Sequence, residues 1–407
     1  MGSANNQAIC WWFLPTLLLS VVWLSDAVGA TPTNQGLQIA QQPGTTQQNA
    51  TRAAAEQVFQ EGMQLYQQGT AESLRQAIGK LQEALKLWQQ LDDKRWEAET
   101  LNNIGLVYSD LAQKQEALKY FNQALPIFRA VGDRTGEATT LNNIGSFYNS
   151  LGEKQEALKY FNQALAVIRA VGDKRVEAVT LGYIGVVYNS LGEKQEALKY
   201  LNQALPISRA VGDKGMEAST LINISSVYAS LGEKQEALKY LNQALPIGLA
   251  VGDKRVEART LNDIGFVYAS LGEKQEALKY FNQALPILRA VGERRREATI
   301  LHNIGSIYNS LGEKQEALKY FNQALPILRA GGNRQSEANT LLNMAALEHS
   351  RGNLQQAQTH IQAAIEIIED LRAKIANEEL RASYSASVRV YYEFNTYLLM
   401  ELQKKDL

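Results

Sequence analysis

The sequence predicts an all-α protein: an α-solenoid, a right-handed superhelix of helix–turn–helix repeats, closed by a C-terminal capping helix. Three observations predict it. From Leu101 to Leu341 a pattern opening on "LNNIG" returns every 40 residues, and self-similarity at a period of about 20–50 residues marks a solenoid. Within each unit apolar residues fall three and four apart, the period of a helix buried on one face. The composition is rich in Ala, Leu, Gln, Glu and Lys, all good helix formers, and holds only 8 prolines in 407 residues.

The chain opens on "ICWWFLPTLLLSVVWL", residues 9–24, followed by small residues at Val28 and Ala30. This reads as a secretory signal peptide over 1–30 with cleavage after Ala30, although "MGSANNQA" lacks the usual basic residue. The alternative is an uncleaved membrane anchor over residues 9–24, short of the roughly 20 apolar residues a spanning helix needs. An exported location, periplasmic or extracellular, is expected. Residues 31–51 are poor in charge and large apolar side chains, so a disordered linker is expected there. A degenerate first repeat covers 55–97. It keeps Gly62, Ala77, Leu81 and Ala84, with Trp88 and Trp96 as local packing. An atypical terminal unit is normal, because one of its faces has no neighbour.

The regular units lie at 98–131, 138–171, 178–211, 218–251, 258–291 and 298–331, with a divergent one at 338–376. In the second of them Leu141, Ile144, Tyr148 and Leu151 form the stripe of a first helix. Gly145 lies on that stripe. A mid-helix Gly costs about 1 kcal/mol against Ala, so it needs a packing reason, and close approach of the neighbouring helix supplies one. Gly152 stops the helix. The second helix buries Ala157, Leu158, Phe161, Ala164 and Leu165. Gly172 ends that helix, and Asp173 caps the next. Pro126, Pro206, Pro246, Pro286 and Pro326 fall inside second helices where the second unit has Ala166. A kink at each and a regular curvature are expected.

Leu141, Ile144, Gly145, Tyr148, Ala157, Phe161 and Ala164 match the tetratricopeptide-repeat signature, with Leu in place of its common Trp. The period of 40 rather than the usual 34 resembles the long-helix, kinesin-light-chain-like subclass. The resemblance implies a non-enzymatic interaction scaffold that binds a protein or an extended peptide in a concave groove lined by first helices.

Composition narrows the chemistry. The net charge is −1, without long runs of one sign, which argues against nucleic acid as partner. The single cysteine, Cys10, lies in the leader, so neither a disulfide framework nor a cysteine zinc cluster is available. No phosphate-binding loop, dinucleotide fingerprint or HExxH motif occurs. His349 and His360 lack acids at ligand spacing and read as surface residues. Glu and Asp recur unit after unit and read as a solvated face with i,i+4 pairs. No catalytic residue, cofactor or metal is expected.

The candidate groove is the first-helix face pointing away from the apolar stripe, where the units differ from one another. The position before the Ile holds Asn103, Asn143, Tyr183, Asn223, Asp263, Asn303 and Asn343. The position after the Gly, or its substitute, holds Leu106, Ser146, Val186, Ser226, Phe266, Ser306 and Ala346. A primary amide both donates and accepts, so an Asn column can pair with peptide backbone of any sequence. The competing reading is local bonding between helices. Tyr183, Asp263 and Phe266 break the column and would set preference. The basic clamp of chaperone-binding relatives is missing, since Arg259 alone supplies a cation there.

In the tail, residues 377–407, Leu380, Tyr384, Val388, Tyr391, Phe394, Leu398 and Leu402 keep a helical period. One amphipathic helix capping the last repeat is expected. "EELRASYSASVRVYYEF" also resembles the stretch joining such arrays to the caspase-like CHAT peptidase domain of cyanobacterial proteins. That resemblance implies a second role, the sensor arm of a split or truncated protease whose CHAT-type domain is separate or missing. Near-identical units leave a third role open, a self-associating structural rod.

Overall fold

The structure, a computed structural model, describes residues 43–111, 113–373, 384–385 and 388–405. The described residues are helical throughout, without a strand, and fall into two compact units divided between Gly212 and Asp213. The signal peptide expected over 1–30 lies outside them. Among the described residues no helix is long and apolar enough to cross a membrane.

The first unit is four antiparallel helix pairs: α1 Pro43–Gln68 with α2 Ala71–Gln90, α3 Lys94–Asp110 with α4 Lys114–Val131, α5 Arg134–Ser150 with α6 Lys154–Val171, and α7 Lys174–Leu191 with α8 Lys194–Ala210. The second is α9 Lys214–Ser230 with α10 Lys234–Val251, α11 Lys254–Leu271 with α12 Lys274–Ala290, α13 Arg294–Ser310 with α14 Lys314–Ala330, α15 Arg334–Ser350 with α16 Leu354–Ala373, and a last helix, α17 Arg389–Lys405. Each unit is thus a helical solenoid of stacked hairpins.

Two boundaries differ from expectation. Helix α1 begins at Pro43, inside the segment expected to be a tether, so residues 43–51 are helical. Its first residues from Gln47 to Ala50 are exposed and Ala55 is the first fully buried one. Pro is compatible with the first turn of a helix, so the segment can extend α1 ahead of its buried part. The tail helix starts at Arg389 rather than 377, after a helical pair at Tyr384–Ser385 and a turn at Val388; Leu380 lies outside the described residues.

The hairpins close as their spacing requires. A Cβ on Gly145 would sit 2.7 Å from Phe161 Cε1, and Gly105, Gly265 and Gly305 meet Phe121, Phe281 and Phe321 in the same way. Gly185 and Gly62 meet leucines, Leu201 and Leu81, just as closely, and the replacements Ser225 and Ala345 stand in units that carry Leu241 and Ile361 at the ring position. Gly152 takes φ of 84°, open to glycine, and carries the chain out of α5. The Asp173 carboxylate accepts from the Arg175 and Val176 N–H groups and caps α7. The helices run through their exposed prolines unbroken. On the outer side Tyr148 stacks on Tyr160 at 5.4 Å, with the Lys159 ammonium over the second ring.

Neighbouring hairpins are joined by complementary volumes and by charge. Phe128 fills the space that Gly136 leaves, a Cβ there falling 2.4 Å from its ring, while Gly248 yields to Val256. Beside this contact Glu137, 3 % exposed, accepts from Arg129 Nε of the preceding helix at 2.8 Å and from Arg134 Nη1 at 2.7 Å. The same clamp recurs at Glu177, Glu297 and Glu337. These glutamates were expected on a solvated face; instead they are buried staples between hairpins. Burial acts to raise the Glu137 and Glu177 carboxyls, but their basic partners outweigh it and hold both below the ordinary carboxylate range. At Glu257 the staple is incomplete. Leu249, 52 % exposed, replaces the arginine, and among the described residues Lys254 is the ion-pair partner.

At the N-terminal end Trp88, fully buried, stacks on Trp96 at 5.2 Å, and Arg52 covers Trp88 while pairing with Asp93. At the C-terminal end α17 packs on α16 as a cap, burying Val388, Tyr391 and Leu398. Tyr391 donates to Asn339, Tyr384 to Gln335 and Tyr392 to Glu369, while Gln358 donates to Asn395 at 3.1 Å. His349, expected at the surface, is bonded to Glu401 at 2.7 Å between the edges of Phe394 and Tyr397. His360 is half-buried, and burial lowers its pKa.

Candidate functional site

The free face of each first helix is set by the packing of the other two. Leu141, Ile144 and Gly145 turn into the hairpin, and Ala138 and Phe147 toward neighbouring hairpins. Thr135, Thr139, Asn143 and Ser146 then remain half-exposed on one strip. The corresponding strip of α11 is Arg255, Arg259, Asp263 and Phe266.

The structure places the expected column on this strip but gives most of its amides partners within the protein. In the first unit Asn103 Nδ2 donates to the Glu99 carbonyl at 2.9 Å and to Glu99 Oε1 at 3.2 Å, one turn back on its own helix. Asn143 Nδ2 reaches the preceding hairpin and donates to Asn102 Oδ1 at 3.0 Å. Its sequence neighbour Asn142 points forward, donating to Thr180 Oγ1 at 2.8 Å. Tyr183 lays its ring on Phe161 at 5.2 Å, and burial pushes its hydroxyl's pKa up.

In the second unit Asn223 Oδ1 accepts from Arg259 Nη2 at 2.8 Å. Asp263 accepts from Asn262 Nδ2 at 2.9 Å and lies 3.9 Å from Arg259 Nε. Phe266 is half-buried against the core of its unit. Asn343 Nδ2 meets His302 Nε2 at 3.4 Å, and His302 Nδ1 meets Thr340 Oγ1 at 2.9 Å. Thr340 already donates to the Ser336 carbonyl, so it accepts from His302, which fixes the proton on Nδ1 and leaves Nε2 to accept from Asn343. Asn303 is half-exposed and makes no side-chain hydrogen bond among the described residues.

Hence the column is not a free ladder. Asn143, Asn223 and Asn343 each tie one hairpin to the next through one amide group; Asn143 and Asn343 remain half-exposed, whereas Asn223 is buried. Among the described residues Asn303 keeps all of its bonding capacity. Burial shapes the charges: it pushes the Glu99 and Asp263 carboxyls up, against the pull of Arg259 on Asp263. It lowers the Arg259 guanidinium to about 10 and His302 to about 4, so at neutral pH the arginine is charged and the histidine neutral. His302 and Arg259 are the bonding residues that the column alone does not reveal. Arg259 carries a signal in the sequence, a cation where the other units have Glu99, Thr139, Val179, Ser219, Thr299 and Asn339; His302, where three units have Asn, carries a weaker one.

No curated protein matches the chain in sequence. Several solved structures share the fold, three of them as follows. The apo quorum sensor NprR from B. thuringiensis superposes with a TM-score of 0.57 at 19 % identity, over 74 % of this chain and 86 % of that one. A Rap protein complexed with competence and sporulation factor gives 0.54 at 15 %, over 86 % and 99 %. A signal-transduction ATPase with a tetratricopeptide-repeat sensor, from Pyrococcus horikoshii, gives 0.55 at 16 %, over 81 % and 55 %. Residues 70–130, 136–210, 195–250, 216–290, 256–330 and 296–370 match the tetratricopeptide repeat model, more than half of the sequence, and the chain belongs to that family.

Proposed function

We propose that the chain is a non-enzymatic interaction scaffold that binds an extended peptide or a peptide-like segment of a protein along the first-helix strip of its repeats. One observation carries this reading. The strip is where the units differ, and its half-exposed amides keep donors and acceptors after their internal bonds are made. The opposite, second-helix motif "EKQEALKY" is identical in five units. Amides at a regular spacing suit the alternating N–H and C=O groups of extended backbone. The Rap protein and NprR, named for a bound factor and for quorum sensing, agree with it. The test is a pull-down with the chain beside a variant carrying Asn143→Ala, Asn223→Ala and Asn303→Ala. A protein captured by the first and lost by the second supports the groove. Equal capture by both, or capture of the chain by itself alone, overturns it, the second outcome in favour of a self-assembling rod.

Two finer readings accompany it. Residues 1–30 act as an export signal, and N-terminal sequencing of the exported protein would then begin at Thr31; an intact leader would refute this. The exposed Val390, Tyr397, Leu399 and Met400 of α17 favour a role as sensor arm for a separate CHAT-type domain. Loss of binding to such a domain on changing Tyr397 and Met400 to Ser would support that role, and unchanged binding would count against it.

A further inference from the structure

Arg259 is the arginine that the strip buries, and the structure leaves it underused. It is 9 % exposed, and among the described residues one of its five N–H donors is bonded, Nη2 to Asn223 Oδ1. The nearest carboxylate, Asp263, stands 3.9 Å from Nε, beyond hydrogen-bond distance. The surrounding ion pairs are equally loose: Arg255 and Arg296 each lie 3.7 Å from Glu293. Elsewhere in the same unit the arginines of the buried staples sit at 2.8 Å, as Arg289 does on Glu297 and Arg329 on Glu337. Three arginines thus face two carboxylates, Asp263 and Glu293, without a close contact among them. The Arg259 side chain keeps 11 % of its surface exposed, beside an Asp263 side chain that is 33 % exposed, and that is the side from which a ligand would reach the guanidinium.

A buried guanidinium held by its stem, short of anionic partners and open on one side, is prepared for a carboxylate that is not part of the chain. We infer that Arg259 seats the side-chain carboxylate of an Asp or Glu in the bound peptide, and that the peptide continues past Asn223 on one side and Asn303 on the other. The position of Arg259 in the middle of the strip favours an internal acidic residue over a chain terminus. Phe266, seven residues along the same helix face, supplies an apolar neighbour for the adjoining residue. This inference rests on the peptide-binding reading above.

The experiment separates the two. The full chain is used to select from a pool of short random peptides, acetylated at the N terminus and amidated at the C terminus. A parallel pool has free C termini. Enrichment of Asp or Glu at one internal position is expected. Changing that residue to Asn or Gln should weaken binding roughly 10-fold to 100-fold, and Arg259→Gln should lose the same factor for the acidic peptide alone. Asp263→Asn removes the competing carboxylate and should tighten the acidic peptide. This second variant guards against a folding defect in the first, and a purely structural Arg259 would instead make it weaken binding of every peptide. Selected peptides without an acidic preference, or ones that require a free C terminus, overturn the carboxylate seat and leave the peptide groove standing. Selection of no peptide at all overturns both.

Discussion

Replacing Gly145 by Ala tests what holds the two helices of a hairpin together. The new Cβ would lie 2.7, 2.8 and 3.0 Å from Cε1, Cδ1 and Cζ of Phe161, a ring 1 % exposed. Carbon pairs rest at about 3.5–4.0 Å, so three ring atoms must each withdraw by roughly 0.5–1 Å in a packed interior. Overpacking of this kind costs about 1–3 kcal/mol, and three simultaneous clashes place it near the upper end. Removing a mid-helix glycine returns about 1 kcal/mol. The net expectation is a loss of about 1–2 kcal/mol, read as a lower urea midpoint by far-UV circular dichroism. Adding Phe161→Leu should recover part of it, because the native chain carries Ser225 in the unit with Leu241 at the ring position. A coupling of at least about 1 kcal/mol between the two changes is expected for residues in contact. If Gly145→Ala instead stabilises by its helix preference, the ring does not exclude a side chain and the explanation of the repeated glycine fails.

Glu137→Gln leaves Arg129 and Arg134 facing an amide in a buried place and should cost about 2–4 kcal/mol by urea unfolding. The native Glu137 and Glu177 carboxyls are depressed in the folded state. Their stabilisation is therefore complete above the unfolded value of about 4.3 and disappears as pH falls through their folded values; the Gln variant should show a shallower acid decline, and an unchanged profile would deny the staple. His302 gives a separate window. Its folded pKa of about 4 lies below the unfolded 6.5, so the unfolded chain binds the extra proton and stability falls as pH drops from 6.5 to 4, by about 3 kcal/mol in all. His302→Gln should flatten that interval, and equal slopes in both proteins would show that the histidine titrates freely. Leu398→Ala, at a fully buried position of the cap, should cost about 2–5 kcal/mol locally and speed amide exchange in α16; slow exchange there would mean that α17 does not protect the last hairpin.

The fold was legible because its evidence is local and repeated. A glycine opposite Phe161, a left-handed Gly152 and a capping Asp173 each act within one hairpin or one turn, and the 40-residue period displays them many times. The partners of the asparagines were not legible. Asn143 and Asn142 are adjacent and identical, yet one reaches back to Asn102 and the other forward to Thr180, since each helix position faces a different neighbour. The buried glutamates were misread for a related reason. Each looks like a surface charge until the arginine eight residues earlier, on another helix, is brought against it. His349 finds Glu401 across a reversal of the chain that no spacing announces.

The missing arginine at Leu249 changes how the second unit behaves as a mechanical object. In a linear array each hairpin is coupled to its neighbours alone, and the strength of each junction decides how far unfolding spreads before it stops. Between α12 and α13 and between α14 and α15 a guanidinium–carboxylate latch backs the apolar contact. Between α10 and α11 that latch is absent among the described residues, and the close approach of Val256 to Gly248 holds the junction without it. This junction, between a single hairpin and the longer block that follows it, therefore depends on apolar contact where the other two add an ion pair. The strip residues Asn223 and Arg259 lie on opposite sides of that junction, bridged by one hydrogen bond, so a ligand spanning them would also act as the fastener.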